Sequence, residues 1–125
     1  MDKKRIMVVD DEVPFTRLLK MSLEQGGSYV VRVENDPCRA LEAADQFLPH
    51  LVLMDVMMPV IDGGTLAAQF EAVSHLRNVP IVFLTAAVRR DEVRARHGQI
   101  GGLPFLAKPV DFKELTECLQ RKLGI

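Results

Sequence analysis

The chain has 125 residues, a formal net charge of −1, 26% charged residues and two cysteines. This length suits one domain, residues 1–125, with an ordinary core that needs no disulfide or metal to hold it together. The dispersed charge offers no basic tail or stripe for direct contact with nucleic acid or a membrane surface.

Cys38 and Cys118 have no CxxC partner and no His at ligand spacing, so both are expected to be small buried hydrophobes in a reducing compartment. The N-terminal "MDKKRIMVVDD" has too short an apolar run for a signal peptide, and no stretch approaches the roughly 20 apolar residues of a membrane span. The expectation is a soluble cytoplasmic protein.

Ile6 to Val9 predicts a first strand, followed by Asp10, Asp11 and Glu12 and then a helix with the apolar stripe Phe15/Leu18/Leu19/Leu23. After Gly26-Gly27, a second strand runs from Tyr29 to Val33, and Asn35-Asp36-Pro37 breaks it before a helix on Leu41/Ala44/Phe47/Leu48. Leu51 to Met54 is the third strand and ends on Asp55; the helix on Leu66/Phe70/Val73 follows Gly63-Gly64. Ile81 to Leu84 is the fourth strand and ends on Thr85. The helix after it, about Val88 to His97, carries many charges and few apolar residues, which predicts shallow docking. Phe105-Leu106 forms a brief fifth strand ending near Lys108, and Phe112/Leu115/Leu119/Leu123 marks the last helix.

Strands this continuously apolar are covered on both faces. Five alternating strand-helix units predict parallel strands with right-handed crossovers, a doubly wound (βα)5 α/β sheet. The flavodoxin-like order 2-1-3-4-5 is the common solution at this size and puts ligands beyond the carboxyl ends of strands 1 and 3.

Those ends bring together Asp10, Asp11, Asp55, Thr85 and Lys108. Three carboxylates at one edge resist ionising together unless a cation joins them. Oxygen ligands without His or Cys suit Mg2+, while a lysine and a hydroxyl suit a phosphoryl group. Individually, Asp11 could be a helix N-cap, Asp55 could open a turn, Thr85 could cap a helix and Lys108 could be solvated. A shared site accounts for all of them at once.

The strings "VVDDE", "LMDVMMPVIDGG", "VFLTA" and "FLAKP", in that order across the chain, closely resemble the receiver domain of two-component response regulators. The resemblance implies that Asp55 accepts a phosphoryl group from a phosphohistidine. Asp10, Asp11, Asp55 and the backbone carbonyl of Met57 would hold Mg2+, for which Mn2+ can substitute. By the same resemblance Lys108 and Thr85 contact the phosphoryl oxygens, Phe105 is the aromatic that follows Thr85 in the switch, and Pro109 follows a cis peptide bond. Met57 and Ala87 occupy the positions that tune dephosphorylation, and neither can hold a water. The implied partners are a histidine kinase or phosphotransfer protein and an output partner or domain that the sequence does not name. A homodimer formed on phosphorylation is also admitted.

Leu103-Pro104, the glycine in "ARHGQIGG", and Phe105 where tyrosine is common depart from the family pattern and bear on the output surface. An aspartate-nucleophile phosphatase would place a second acid two residues after the nucleophile, and Met57 stands there. A flavin mononucleotide carrier would need a hydroxyl- and glycine-rich loop after strand 1, where "DDEVP" is acidic. The other reading left open is a receiver module within a longer regulator or hybrid kinase.

Overall fold

Apolar residues that alternate between two buried faces build the centre of the molecule. The computed structural model describes residues 2–86, 99–100 and 103–125. Its strands are β1 (Lys4–Val9), β2 (Tyr29–Glu34), β3 (Leu51–Asp55), β4 (Ile81–Thr85), β5 (Gln99–Ile100) and β6 (Leu103–Ala107). The helices are α1 (Val13–Glu24), α2 (Ala40–Phe47), α3 (Gly63–Ala72) and α4 (Phe112–Leu123), with a single 3-10 turn at Pro37–Arg39 before α2. The expected helix from about Val88 to His97, and Ala87, lie outside the described residues.

The sheet order is β2-β1-β3-β4-β6-β5. Five strands are parallel, so the predicted 2-1-3-4-5 order is present with β6 as its fifth strand. The two-residue β5, antiparallel to β6, is an addition: Ile100 faces Leu103 and Gln99 faces Pro104. In sequence these runs are separated by two glycines, the spacing of a tight hairpin.

Period-2 alternation divides the core. Ile6, Val8, Leu51, Leu53, Val82 and Leu84 face α1 and α4, where Leu19, Leu23, Leu115 and Leu119 meet them. Met7, Val9, Val52, Met54 and Phe83 face the other way, onto Ala40, Ala43 and Ala44 of α2 and Leu66 and Phe70 of α3.

The helix stripes are narrower than expected. In α1 the buried positions are Thr16, Leu19 and Leu23, and Leu18 is exposed. In α2 small alanines, rather than Leu48, make the close contact. Leu48 has φ 53°, and this left-handed C-cap turns its side chain outward. Phe112 at the start of α4 is exposed, while Cys118 and Leu119 are buried. Cys118 is thus a buried hydrophobe as expected, whereas Cys38 is exposed because it lies in the 3-10 turn, where its N–H bonds Asp36 Oδ1 at 3.0 Å.

Two features brace the sheet's margins. On β2, Val31 donates its N–H to Glu24 Oε2 at 2.9 Å and accepts from Lys20 Nζ at 2.6 Å, both side chains from α1. Burial raises the carboxyl pKa of Glu24, but the Val31 N–H and Lys20 outweigh it and hold it below the usual range, the N–H being the largest influence. At the start of β1, Arg5 N–H donates to His50 Nδ1 at 2.9 Å and Arg5 Nε donates to the Leu48 carbonyl at 2.8 Å.

Candidate functional site

Strand parity aims the acids. Asp10 continues the Ile6/Val8 face and Asp55 the Leu51/Leu53 face, so both carboxylates emerge on the same side of neighbouring strands. Asp10 is fully buried and Asp55 is 5% exposed. One carboxylate oxygen each from Asp10, Asp11 and Asp55 lies within 4.8 Å of the others. The structure therefore brings these three acids together at one edge of the sheet.

Lys108 enters from the end of β6, its backbone N–H bonded to the Thr85 carbonyl at 2.9 Å. Its Nζ is 2.7 Å from Asp10 Oδ2, 2.8 Å from Glu12 Oε1 and 3.5 Å from Asp55 Oδ2. The Phe15 ring lies beneath it, 4.6 Å from Nζ to centroid. The Lys108–Pro109 peptide bond is cis. Thr85 is buried at the end of β4, on the Phe83 face by alternation, and Phe105 is half-buried with its ring 5.3 Å from that of Phe83. The Met57 N–H approaches Asp55 Oδ1 at 3.4 Å, while the Met57 side chain is exposed.

The electrostatics reflect crowding. Burial, then the charge of Asp10, raises the carboxyl pKa of Asp55, with Lys108 working against both. Asp10 is likewise raised, chiefly by burial, despite Lys108 and the Glu12 N–H, which donates to Asp10 Oδ1 at 2.9 Å. Burial pulls Lys108 downward, but its close contacts with the Asp10 and Glu12 carboxylates and the further negative charge of Asp55 prevail, so its ammonium is held above the ordinary lysine value.

Several contributors carry no obvious sequence signal. Asn35, read from sequence only as part of a break, donates Nδ2 to the Asp10 carbonyl at 2.8 Å and to Thr16 Oγ1 at 2.9 Å, pinning the β1–α1 turn. Glu12 is the N-cap of α1, yet its side chain makes no capping bond and turns to Lys108 instead. Asp11 is therefore not the helix cap. Gly63 opens α3 directly against β3: its N–H bonds the Val56 carbonyl at 2.8 Å, and a Cβ there would overlap the Asp55 carbonyl oxygen. Between them Val60 has φ 73°, and Ile61 N–H bonds the Pro59 carbonyl at 2.8 Å in a tight γ-turn.

The donor set fits a hard cation. Asp10 Oδ2 is buried without a hydrogen bond. Lys108 is close to it but off the hydrogen-bonding direction, so the contact is one of charge and leaves lone pairs available. Two buried acids and one accessible acid, all oxygen ligands, match the preferences of Mg2+.

Comparison with known proteins agrees with this geometry. The family model described as "Response regulator receiver domain" matches residues 6–120. The polar-differentiation response regulator DivK of Brucella anthropi is 30% identical over 122 residues, covering 97% of each chain. The chemotaxis protein CheY4 of Vibrio cholerae superposes with TM-score 0.81 at 25% identity, covering 98% of this chain and 100% of that one. The receiver domain of the sensor histidine kinase PA1611 from Pseudomonas aeruginosa superposes with TM-score 0.77 at 29% identity over 99% of this chain and 100% of that one. That structure holds a magnesium ion coordinated in its active-site cleft. With that family model matched over residues 6–120 and the strand-end acids gathered on one edge, this chain belongs to the response regulator receiver domain family.

Proposed function

We propose that residues 1–125 act as one receiver domain that takes a phosphoryl group onto Asp55 from a phosphohistidine of a histidine kinase or phosphotransfer protein, and then changes its output surface. The observation that carries this reading is a nearly buried carboxylate within 4.8 Å of two further acids and 3.5 Å from a lysine ammonium. In the transfer, an Asp55 carboxylate oxygen forms a bond to phosphorus in line with the leaving imidazole nitrogen, which departs with the electron pair of the broken P–N bond.

Asp55 is a weak nucleophile, so position and charge balance supply most of the rate. The strand ladder fixes its backbone, with Asp55 opposite Leu84 and the Val56 N–H bonded to the Leu84 carbonyl at 3.1 Å. Asp10, Asp11, Asp55 and the Met57 carbonyl would hold Mg2+ or Mn2+, which when bound neutralises carboxylate and phosphoryl charge. Lys108 would pair with one phosphoryl oxygen, and the Thr85 hydroxyl would donate to another. Drawn toward that group, Thr85 would leave space for Phe105, whose ring has no hydroxyl to keep it in water, to bias the surface further inward. The domain is a signalling module that promotes only its own phosphorylation and dephosphorylation.

The experiment is intact-mass analysis after incubation with acetyl phosphate. The expected result is one added phosphoryl group in Mg2+, none in EDTA and none in Asp55→Asn. Equal labelling in EDTA, or labelling that persists in Asp55→Asn, overturns the proposal.

A further inference from the structure

We propose that Glu12 is a positioning residue that grips Lys108 and holds it back from the phosphoacceptor, so that release of this grip limits how tightly the site takes up a phosphoryl group. This rests on the reading of Asp55 as the acceptor. The first observation is where Glu12 stands. It occupies the N-cap of α1, a place favoured by the short side chains of Asn, Asp and Ser, which reach back to the helix. Glu12 makes no such bond; its Oε1 lies 2.8 Å from Lys108 Nζ, 96 positions away in sequence.

The second observation is the imbalance of the lysine's contacts. Its Nζ is close to Asp10 and Glu12, at 2.7 and 2.8 Å, and farther from Asp55, at 3.5 Å. An ammonium has three donors, and the Phe15 ring occupies another side of it. To come as close to Asp55 as it is to the other two, Lys108 must draw back from one of the two carboxylates of the β1–α1 turn.

Asp10 cannot yield readily. Its side chain has no exposure, and its other oxygen accepts the Glu12 N–H at 2.9 Å. The Glu12 side chain is 59% exposed. Water replaces the lysine there at little cost, because an exposed ion pair is weak. Glu12 is therefore the contact that lets go, and its strength opposes phosphoryl binding.

The test titrates the Mg2+-loaded full chain with beryllofluoride, a phosphoryl mimic, by calorimetry. Glu12→Gln is expected to bind about two- to fivefold more tightly than the parent, the range of an exposed ion pair. Glu12→Asp keeps the charge but is one methylene too short to reach Lys108, and is expected to tighten binding similarly. Both gains should shrink toward nothing in about 1 M salt, where charges are screened within about 3 Å; a change in packing would not respond in this way. Unchanged affinity in Glu12→Gln overturns the proposal. Parent-like affinity in Glu12→Asp with tightening in Glu12→Gln also overturns it, since general repulsion of an anion would then suffice. If the parent takes up no beryllofluoride in Mg2+, both this inference and the assignment of Asp55 fall; binding that ignores Glu12 sinks this inference alone.

Discussion

Adding one methyl group at Gly63 should disable the site from behind. The perturbation is steric, since a Cβ there overlaps the Asp55 carbonyl oxygen and lies 3.0 Å from Val56 Cα and 3.2 Å from the Asp55 carbonyl carbon. Comfortable carbon contacts begin at about 3.5 Å, so backbone on one side must retreat by about 0.5–1 Å. The helix cannot simply move off, because its Gly63 N–H holds the Val56 carbonyl at 2.8 Å. The displaced atoms therefore include the backbone of the residue that carries the acceptor. Overpacking of this kind costs about 1–3 kcal/mol, and misplacing a reacting group by about 1 Å costs about 10²-fold in rate. Gly63→Ala should lower the urea midpoint and slow acetyl phosphate labelling of Asp55 by about 10- to 100-fold. Gly64→Ala is the control, since its Cβ would meet only the Asp62 side chain at 3.4 Å, and it should label normally. Parent-like stability and labelling in Gly63→Ala would refute the reasoning.

Three further outcomes are expected. Asp55→Asn should raise the urea midpoint at neutral pH without metal, because burial and Asp10 raise the Asp55 pKa and make its ionised form costly in the fold; that cost is absent once Asp55 is protonated, so the gain should fade as the pH drops below the folded pKa. His50 is held below its ordinary value, first by burial and then by Arg5 and Lys4, so its stabilising share is fully present above about pH 6.5 and is lost as the pH falls from there through its lowered folded pKa. His50→Asn, which offers the Arg5 N–H a non-titrating acceptor, should show a smaller drop in urea midpoint between neutral and mildly acidic pH. The purified phosphoprotein should decay slowly in Mg2+, and a Met57→Asn, Ala87→Glu double variant should decay faster, by up to the roughly 10²-fold that a positioned general base supplies; equal decay rates would show that water positioning at these residues does not set the lifetime.

The strand ends were legible in the sequence because parity is a short-range rule: Asp10 follows Val9 and Asp55 follows Met54, so each acid shares the face of the residues two and four before it. Helix faces were less legible. Leu18 and Phe112 satisfy an apolar stripe, but the sheet covers a narrower arc than the stripe, and Thr16 and Cys118 fill it instead. The partner of Glu12 could not be read at all, since it is reached only when β1 and β6 end on the same edge. Asn35 was similarly hidden, its carboxamide having the chemistry of a turn residue until its contacts with Asp10 and Thr16 are known.

The side chains that brace Val31 also bear on how copies of this protein can meet. An outer strand with unpaired peptide groups is a template on which a second sheet can grow. Here Glu24 and Lys20 of α1 occupy the outward N–H and carbonyl at the middle of β2, and the other margin ends in the two-residue β5. A continuous sheet shared across two molecules would have to displace an ion pair on one side or build on a stub on the other. Any self-association would thereby be steered toward helix faces and away from backbone pairing, which could not be reversed so readily.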